Sequence, residues 1–262
     1  MVFPPLTWVL LLVAAALCAI GFYKFVYFMS VGYGLAVGGI GVAILIIATV
    51  RGDLTLVLAI LCVLLLIYGI RLGGFLLVRE LKSAAYRKTL NAQTDKPVPI
   101  FVKIFMWIFM AVLYVLETSA VWYRANDPDA GTVFAWIGAV IMVCGIVVEA
   151  LADKQKSAAK KIDPNKPAMN GLYKFSRCPN YFGEITFWTG VFISGIGALK
   201  GWQWLIAALG YFFIIYIMVS GAQRLEKRQN KNCGDLPEYR AYVEKTPILV
   251  PFLPIYHLVK EK

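Results

Sequence analysis

The sequence predicts an all-α, polytopic integral membrane protein. Of its 262 residues, 60% are apolar or aromatic and only 16% are charged, whereas soluble domains are about half apolar. The mean hydropathy is +0.70, so too few charged groups remain to cover a globule in water. Apolar runs long enough to cross a bilayer as a helix, about 20 residues each, recur along the whole chain.

The apolar runs predict seven transmembrane helices in a single domain covering residues 1–262. In chain order, the predicted spans are Leu6–Phe28, Val31–Val50, Leu54–Val78, Pro99–Tyr123, Thr132–Ala152, Tyr181–Leu199 and Trp202–Ser220. The first span lacks a basic start and a small-residue cleavage site, so we expect it to be retained as a helix. Glycines at four-residue spacing, such as Gly34 with Gly38 and Gly69 with Gly73, predict close helix contacts.

The distribution of basic residues predicts the orientation. Three segments are rich in Lys and Arg: 79–96 with five, 154–177 with seven, and the tail after residue 220 with eight. The alternate loops hold one basic residue each. Because basic residues concentrate in cytosolic loops, we expect the N-terminus outside and the C-terminus in the cytosol. The net charge of +11 then requires no nucleic acid partner.

Ionisable side chains within apolar spans are costly, and by default they face the bundle interior, a partner or a cavity. Arg71, Glu149 and Glu184 lie in or near the predicted cytosolic halves of the third, fifth and sixth spans. Lys24 and Lys103 lie near span ends, where we expect their ammonium groups to extend to the lipid headgroups. The five cysteines have no C-x-x-C spacing and the chain has one histidine, so neither a disulfide framework nor a metal site is expected.

A polar motif runs from Asn170 to Glu184 and reads N-G-L-Y-K-F-S-R-C-P-N-Y-F-G-E. Pro179 suits the first turn of a helix, and Asn180 and Glu184 would then lie on one helix face. A polar helix start of this kind suits an anion or a ligand that carries an amide.

The motif resembles the C-terminal half of the steroid 5-alpha-reductase superfamily, in particular its bacterial branch, although Cys178 stands where that branch usually has His. The similarity continues through Asp153–Lys156, Leu225–Arg228, Glu238–Tyr242 and Pro247–Phe252, with weaker matches at Tyr68–Arg71, Arg79–Glu80 and Tyr86–Arg87. The resemblance implies an oxidoreductase of the 3-oxo-5-alpha-steroid 4-dehydrogenase kind. Such an enzyme uses NADPH to reduce an activated carbon–carbon double bond in a lipid or steroid-like enone. Resemblance to the bacterial branch also implies the bacterial inner membrane as the location.

The resemblance also implies site residues. Those implied for NADPH binding are Arg71, Asp153, Lys156, Lys160, Tyr173, Arg177, Asn180, Tyr181, Glu184, Glu226 and Arg228. Tyr68 is implied as the catalytic hydrogen-bond donor to the substrate carbonyl. No acidic residue precedes Asp53, so we expect Tyr23, Tyr27 or Tyr33 to supply a second donor. Residues 1–98 would form the substrate side and residues 99–262 the cofactor side.

Two other interpretations remain open. Arg177, Pro179, Tyr181 and Gly183 also fit the motif of integral-membrane methyltransferases that use S-adenosylmethionine and resemble isoprenylcysteine carboxyl methyltransferase. A non-catalytic, lipid-binding relative is the other. Under each interpretation the expected partners are a lipid or steroid-like small molecule and the membrane lipids, and no protein partner is evident.

Overall fold

The computed structural model describes residues 3–82, 98–164 and 166–259, and these residues form helices and no strand. The helices are α1 (Thr7–Cys18), α2 (Val31–Arg51), α3 (Leu56–Lys82), α4 (Ile100–Ala125), α5 (Val133–Ile162), α6 (Pro179–Ser194), α7 (Gln203–Cys233) and α8 (Pro237–Lys245). Short 3-10 turns lie at Ala19–Phe22, Phe25–Met29 and Gly171–Lys174. The prediction of an all-α fold is confirmed for this part of the chain.

Five helices among the described residues, α2, α3, α4, α5 and α7, are long and apolar enough to cross a membrane. They coincide with five of the predicted spans, as expected for a multi-pass membrane protein. Helix α1 has 12 residues and α6 has 16, fewer than the roughly 20 that usually span the hydrocarbon core. The total of seven spans and the orientation therefore stay predictions. Most of the basic segment 79–96, with the motif pair Tyr86–Arg87, falls on residues 83–97, outside the described residues.

The first apolar run leaves its α-helix at Cys18 and not at Phe28, because the chain folds back on itself. A Cβ atom on Gly21 would lie 2.2 Å from the ring of Phe28. The absence of a side chain at Gly21 thus lets the Phe28 ring pack directly on the backbone. Hydropathy shows that this stretch is apolar, but it does not indicate that the chain reverses direction there.

The chain forms two compact units. The first consists of Met1–Val140 and Gly190–Tyr211, and the second of Ile141–Thr189 and Phe212–Lys262. Each unit is described separately below. The predicted functional division at residue 98 stays a prediction.

In the first unit, α2 and α3 cross with their backbones in contact. A Cβ atom on Gly69 would lie 2.2 Å from the carbonyl oxygen of Gly34, and one on Gly34 would lie 2.5 Å from the carbonyl oxygen of Gly69. Real Cβ atoms essentially never approach backbone so closely. The predicted close helix contact at these glycines is confirmed, and it lies directly after Tyr33 and Tyr68 in the sequence.

We expect Gly69→Ala to lower the free energy of unfolding by about 1–3 kcal/mol, because the added methyl group must push two backbones apart. Gly74→Ala is the matched control, since nothing lies within 4 Å of a Cβ atom there. Alanine is the better helix former, so the control should be neutral or stabilising by up to about 1 kcal/mol. Melting temperatures of the two purified variants in detergent measure the difference, and equal shifts would contradict the expectation.

The beginning of α1 and the ends of α2 and α4 come together in the first unit. Trp122 Nε1 donates a hydrogen bond to Thr7 Oγ1 at 2.8 Å. Arg51 Nη1 donates to Asn126 Oδ1 at 2.9 Å. These contacts place the start of α1 on the same side as the ends of α2 and α4, as expected for an up-and-down arrangement of helices.

At another point in the first unit, Lys24 forms a largely buried ion pair with Glu80 near the end of α3. The Lys24 Nζ to Glu80 Oε1 distance is 2.6 Å, and the Tyr27 hydroxyl donates to Glu80 Oε2 at 2.9 Å. The expectation that Lys24 extends to the headgroups is therefore wrong. Glu80 supplies a close anionic partner that neutralises the ammonium group inside the protein.

The C-terminal end of α6 is held by Arg124, a buried residue at the end of α4. Its Nε donates to the carbonyl oxygen of Ser194 at 2.5 Å, and its Nη2 donates to that of Ile196 at 2.9 Å and to that of Gly131 at 3.3 Å. The last carbonyl groups of a helix lack partners within the helix. The guanidinium group thus supplies donors where the helix itself cannot.

Candidate functional site

In the second unit, the polar motif forms a turn that rests on α5 and then enters α6. Gly171 has a φ of +67°, a conformation that favours glycine, and a Cβ atom there would lie 2.5 Å from Gln155 Oε1. The same Gln155 oxygen accepts the backbone N–H of Leu172 at 2.8 Å. The glycine therefore permits both the turn and its close approach to α5. The role of Gln155 in this contact was not predicted.

Tyr173 is buried and connects α5 with the segment that precedes α6. Its hydroxyl donates to the carbonyl oxygen of Ala152 at 3.3 Å, and its own carbonyl oxygen accepts the Tyr242 hydroxyl at 2.7 Å. Burial raises the pKa values of the Tyr173 and Tyr242 hydroxyls. Both side chains therefore stay neutral at physiological pH and act as hydrogen-bond donors.

The centre of the motif is a buried ion pair between Arg177 and Glu226 of α7. The Arg177 Nη2 to Glu226 Oε1 distance is 2.9 Å, and the two side chains are 2% and 0% exposed. Arg177 Nη2 also donates to the carbonyl oxygen of Tyr256. The other carboxylate oxygen, Glu226 Oε2, accepts the backbone N–H groups of Leu258 at 2.9 Å and Val259 at 3.1 Å. The pair thus attaches the C-terminal segment to α7 and to the start of α6.

Polar atoms without a protein partner remain next to this ion pair. Within the part of the chain that the structure describes, Arg177 Nε, Arg177 Nη1 and Asn180 Oδ1 are buried and make no hydrogen bond. Asn180 is the second residue of α6, so its side-chain oxygen does not cap the helix. Buried polar groups are normally satisfied. The guanidinium group also interacts with the Tyr239 hydroxyl, so the amide oxygen of Asn180 is the atom that remains available to a ligand.

Three acidic residues that the sequence analysis singled out are also buried in the second unit: Glu149 and Asp153 of α5, and Glu184 of α6. Helices α5 and α6 touch here, since a Cβ atom on Gly183 would lie 2.7 Å from the backbone nitrogen of Glu149. This contact brings together the two helices that carry these acidic residues. Tyr181 is half-buried and packs against the apolar cluster around Ala222.

A small cavity of about 70 Å³ lies between the end of α5 and the extramembrane part of α7. It is lined by Lys156, Lys160, Pro167, Leu225, Arg228, Gln229, Asn232 and Cys233. Lys160 Nζ donates to the carbonyl oxygens of Pro164 at 2.7 Å and Lys166 at 2.8 Å, which fixes its position. Three predicted cofactor residues, Lys156, Lys160 and Arg228, thus line one cavity.

In the first unit, the predicted catalytic residue belongs to a buried group of tyrosines. The hydroxyl of Tyr68 donates to that of Tyr33 at 3.0 Å, and the ring of Tyr33 stacks on Tyr114 with centroids 4.9 Å apart. Of the three tyrosines considered as a second donor, Tyr33 is the one bonded to Tyr68. Arg71 lies over the ring of Phe75 at 5.8 Å, and its predicted part in the cofactor site stays a prediction.

Cys178 lies in an apolar cluster directly before α6. Its neighbours there include Ala222, Leu225, Ile248 and Leu249, and burial raises the pKa of its thiol from 9.0 to about 12. Because the thiolate is the reactive form, the thiol is inert at neutral pH. Position 178 therefore has a packing role in this chain.

We expect Cys178 to resist alkylation by a hydrophilic maleimide at pH 8 in the folded protein. A pKa of about 12 in place of 9.0 leaves on the order of a thousandfold less thiolate at that pH, since each pH unit changes the ratio tenfold. The control is the same protein in SDS, in which the thiol should react fully. Mass spectrometry of the peptide reads the modification, and rapid modification without denaturant would contradict the burial.

Together, these features define a multi-pass, all-helical membrane protein with a buried ion pair and a cationic cavity in its second unit. The chain belongs to the family described as "Protein of unknown function (DUF1295)", which matches residues 30–246.

Curated relatives confirm the predicted resemblance to the steroid 5-alpha-reductase superfamily. Steroid 5-alpha-reductase DET2 of Gossypium hirsutum is 29% identical over 135 residues, which are 50% of this chain and 48% of the relative. The protein of the same name from Arabidopsis thaliana is 26% identical over 44% of this chain and 42% of the relative. The 3-oxo-5-alpha-steroid 4-dehydrogenase 1 of Bos taurus is 22% identical over 60% of this chain and 58% of the relative.

The chain thus spans about half the length of the plant relatives that it matches. No solved structure matches the chain.

Proposed function

We propose that this chain is a membrane-embedded, NADPH-dependent reductase of an activated carbon–carbon double bond in a lipid or steroid-like enone. The observation that carries the proposal is the cavity lined by Lys156, Lys160 and Arg228, together with the buried Asn180 Oδ1, which makes no hydrogen bond within the described residues. The similarity to steroid 5-alpha-reductases supports the reaction class.

The residues of the second unit fit the polar groups of NADPH. Three cations around a cavity of about 70 Å³ suit a single phosphate group, because hydrogen bonds between charged partners are the strong ones. Asn180 Oδ1 suits an amide or hydroxyl donor of the cofactor. NADPH, when bound, would supply a hydride, that is, two electrons and one hydrogen, and the resulting enolate would take the second hydrogen as a proton from water.

The tyrosine group of the first unit suits the substrate carbonyl. In a conjugate reduction, negative charge develops on the oxygen of the enone, and fixed hydroxyl donors in a dry site stabilise that charge. Tyr68 is fully buried, and its bond to Tyr33 places two hydroxyl groups side by side. In this proposal the hydrogen bond between the two hydroxyl groups opens when the substrate binds, so that Tyr68 donates to the carbonyl oxygen and Tyr33 is the second donor.

We expect Arg228→Ala to weaken NADPH binding about 10- to 100-fold and to leave NADH binding nearly unchanged. A hydrogen bond to a charged group contributes about 1.5–3 kcal/mol, and only NADPH carries the additional phosphate. Arg224→Ala is the matched control, since Arg224 is also exposed on α7 and does not line the cavity. Titration of both cofactors against the purified variants gives the dissociation constants. Equal losses of affinity for NADPH and NADH would show that the cavity does not bind the additional phosphate.

A thermal-shift experiment tests the proposed function against the two other interpretations. A ligand that binds only the folded state at a hundred times its dissociation constant stabilises it by about 2.7 kcal/mol. We expect the melting temperature in detergent to rise with NADPH and not with S-adenosylmethionine. A rise with S-adenosylmethionine alone would indicate a methyltransferase, and a rise with neither would indicate a non-catalytic relative. Oxidation of NADPH in the presence of a 3-oxo-4-ene steroid tests the substrate class.

A further inference from the structure

The C-terminal segment of the second unit presents an exposed apolar turn, residues 250–255, which is called the apolar tip below. Phe252 is 87% exposed, and Leu253 and Ile255 are exposed as well. The backbone N–H of Ile248 donates to the carbonyl oxygen of Ile255 at 2.9 Å, and that of Leu253 donates to the carbonyl oxygen of Val250 at 3.3 Å. The turn is therefore closed by its own backbone, and its large side chains point away from the protein.

Phe252 also has an unfavourable backbone conformation. Its φ is +67°, in the left-handed region that is sterically costly for a bulky residue without the freedom of glycine. Strain of this kind persists where surrounding structure or a function requires it. Here the strained backbone directs a large aromatic ring outward. In water alone, the exposed ring would add its own unfavourable free energy to that of the strain.

The stem of the apolar tip is attached to the residues that directly precede α6. Ser176 Oγ donates to the carbonyl oxygen of Leu249 at 2.7 Å, and the backbone N–H of Arg177 donates to that of Pro247 at 2.9 Å. Helix α6 begins two residues later, at Pro179. The tip therefore lies next to the point at which the sixth apolar run begins.

The same stem packs on α7 just past its apolar part. Ile248 and Leu249 belong to one buried cluster with Ala222 and Leu225, and the predicted seventh span ends at Ser220. Helix α7 is apolar and long enough to cross a membrane. Two independent helices thus place the stem of the tip near the boundary between hydrocarbon and water.

The surroundings of the tip have the composition of a surface that enters lipid headgroups. The ring of Phe175, which is 54% exposed, lies 6.4 Å from that of Phe252. Lys174 is exposed beside it. Aromatic and aliphatic side chains next to basic ones are typical of segments that lie in the membrane interface, where the apolar groups enter the acyl region and the cations contact anionic headgroups.

We propose that the apolar tip inserts into the membrane interface on the side where α6 begins, with Phe252 and Phe175 in the lipid. The occupant of this surface is the bilayer itself. Its insertion fixes the segment that carries the Tyr256 carbonyl and the Leu258 and Val259 amides against the Arg177–Glu226 pair. Insertion of the tip requires no particular cofactor or substrate.

The test uses the environment-sensitive fluorophore NBD on introduced cysteines in the full chain. Cys144→Ser provides the background, since Cys144 is exposed and the other four cysteines are buried. Phe252→Cys and Leu253→Cys report on the tip. Glu244→Cys, exposed on α8, is the reference for water, and Val147→Cys, exposed on the apolar part of α5, is the reference for lipid.

The labelled proteins are reconstituted in vesicles of phosphatidylcholine and phosphatidylglycerol in equal amounts. We expect lipids with a nitroxide near the headgroup to quench the probes at 252 and 253 severalfold more than the probe at 244, and iodide to show the reverse order. Probes at the tip that behave like the one at 244 would overturn the proposal. A blue-shifted emission that the nitroxide lipids do not quench would also overturn it, since protein and not lipid would then cover the tip.

Discussion

Arg177→Ala should lower the free energy of unfolding by about 3–5 kcal/mol, the largest stability loss that we expect for a single substitution in this chain. The substitution removes the buried guanidinium partner of the Glu226 carboxylate and leaves it with His257 Nδ1 at 3.3 Å and the backbone N–H groups of Leu258 and Val259. Loss of one partner of a buried ion pair costs about this much. The substitution also removes the donor to the Tyr256 carbonyl. Reversible denaturation of the purified variant in mixed micelles, without cofactor, measures the effect.

Two further variants show that the loss comes from the unpaired charge. The double variant Arg177→Met with Glu226→Leu removes both charges and should recover a large part of the stability, because apolar replacement of a buried pair is often neutral. Arg240→Ala is the matched control, since its pair with Asp235 is exposed and should contribute less than about 1 kcal/mol. A double variant less stable than the single Arg177→Ala variant would exclude this account.

Tyr68→Phe should lower kcat about 10²- to 10³-fold, the usual effect of removing one donor to a developing oxyanion. This prediction rests on the proposed function, and NADPH oxidation in the presence of an enone substrate measures it. The substitution removes a single oxygen, so the fold should be retained. Tyr114→Phe is the control, because the Tyr114 hydroxyl donates to the Phe28 carbonyl at 2.6 Å and is not assigned to the substrate.

Tyr33→Phe separates the two members of the hydroxyl pair. If both hydroxyls contact the carbonyl oxygen, each single substitution should lower kcat, and the double variant should cost little more than the worse single one. A kcat of Tyr68→Phe within twofold of the parent would show that Tyr68 takes no part in the reaction. That result would not bear on the proposed NADPH site of the second unit.

Hydropathy predicts the long spans well, because a continuous run of apolar residues must be helical to satisfy its backbone in lipid. It does not predict where a helix continues beyond the membrane. The predicted fifth span ends at Ala152 and the predicted seventh at Ser220, yet α5 reaches Ile162 and α7 reaches Cys233. These polar extensions hold the cationic cavity, so hydropathy alone missed the part of each helix that carries candidate chemistry.

The residue types of the candidate site could be predicted, but their pairing could not. Arg177 and Glu226 were both among the implied cofactor residues, but nothing in their spacing of 49 residues indicates that they form an ion pair. Similarly, three tyrosines were equivalent candidates beside Tyr68. The backbone contact between α2 and α3 brings Tyr33, and not the other two tyrosines, to Tyr68. This choice could not be predicted, because no local pattern specifies which helices touch.

The short length of α6 has a consequence for the membrane itself. At 1.5 Å per residue, its 16 residues extend about 24 Å, whereas an average hydrocarbon core is about 30 Å thick. If α6 crosses the bilayer, this hydrophobic mismatch draws its polar ends into the lipid or thins the lipid around them, at a fraction of a kcal/mol per Å. At one end, Arg124 donates hydrogen bonds to the carbonyl oxygens of Ser194 and Ile196, which water would otherwise do. At the other end, the acyl-chain length of the host lipids would then set the depth of Asn180 relative to the headgroups.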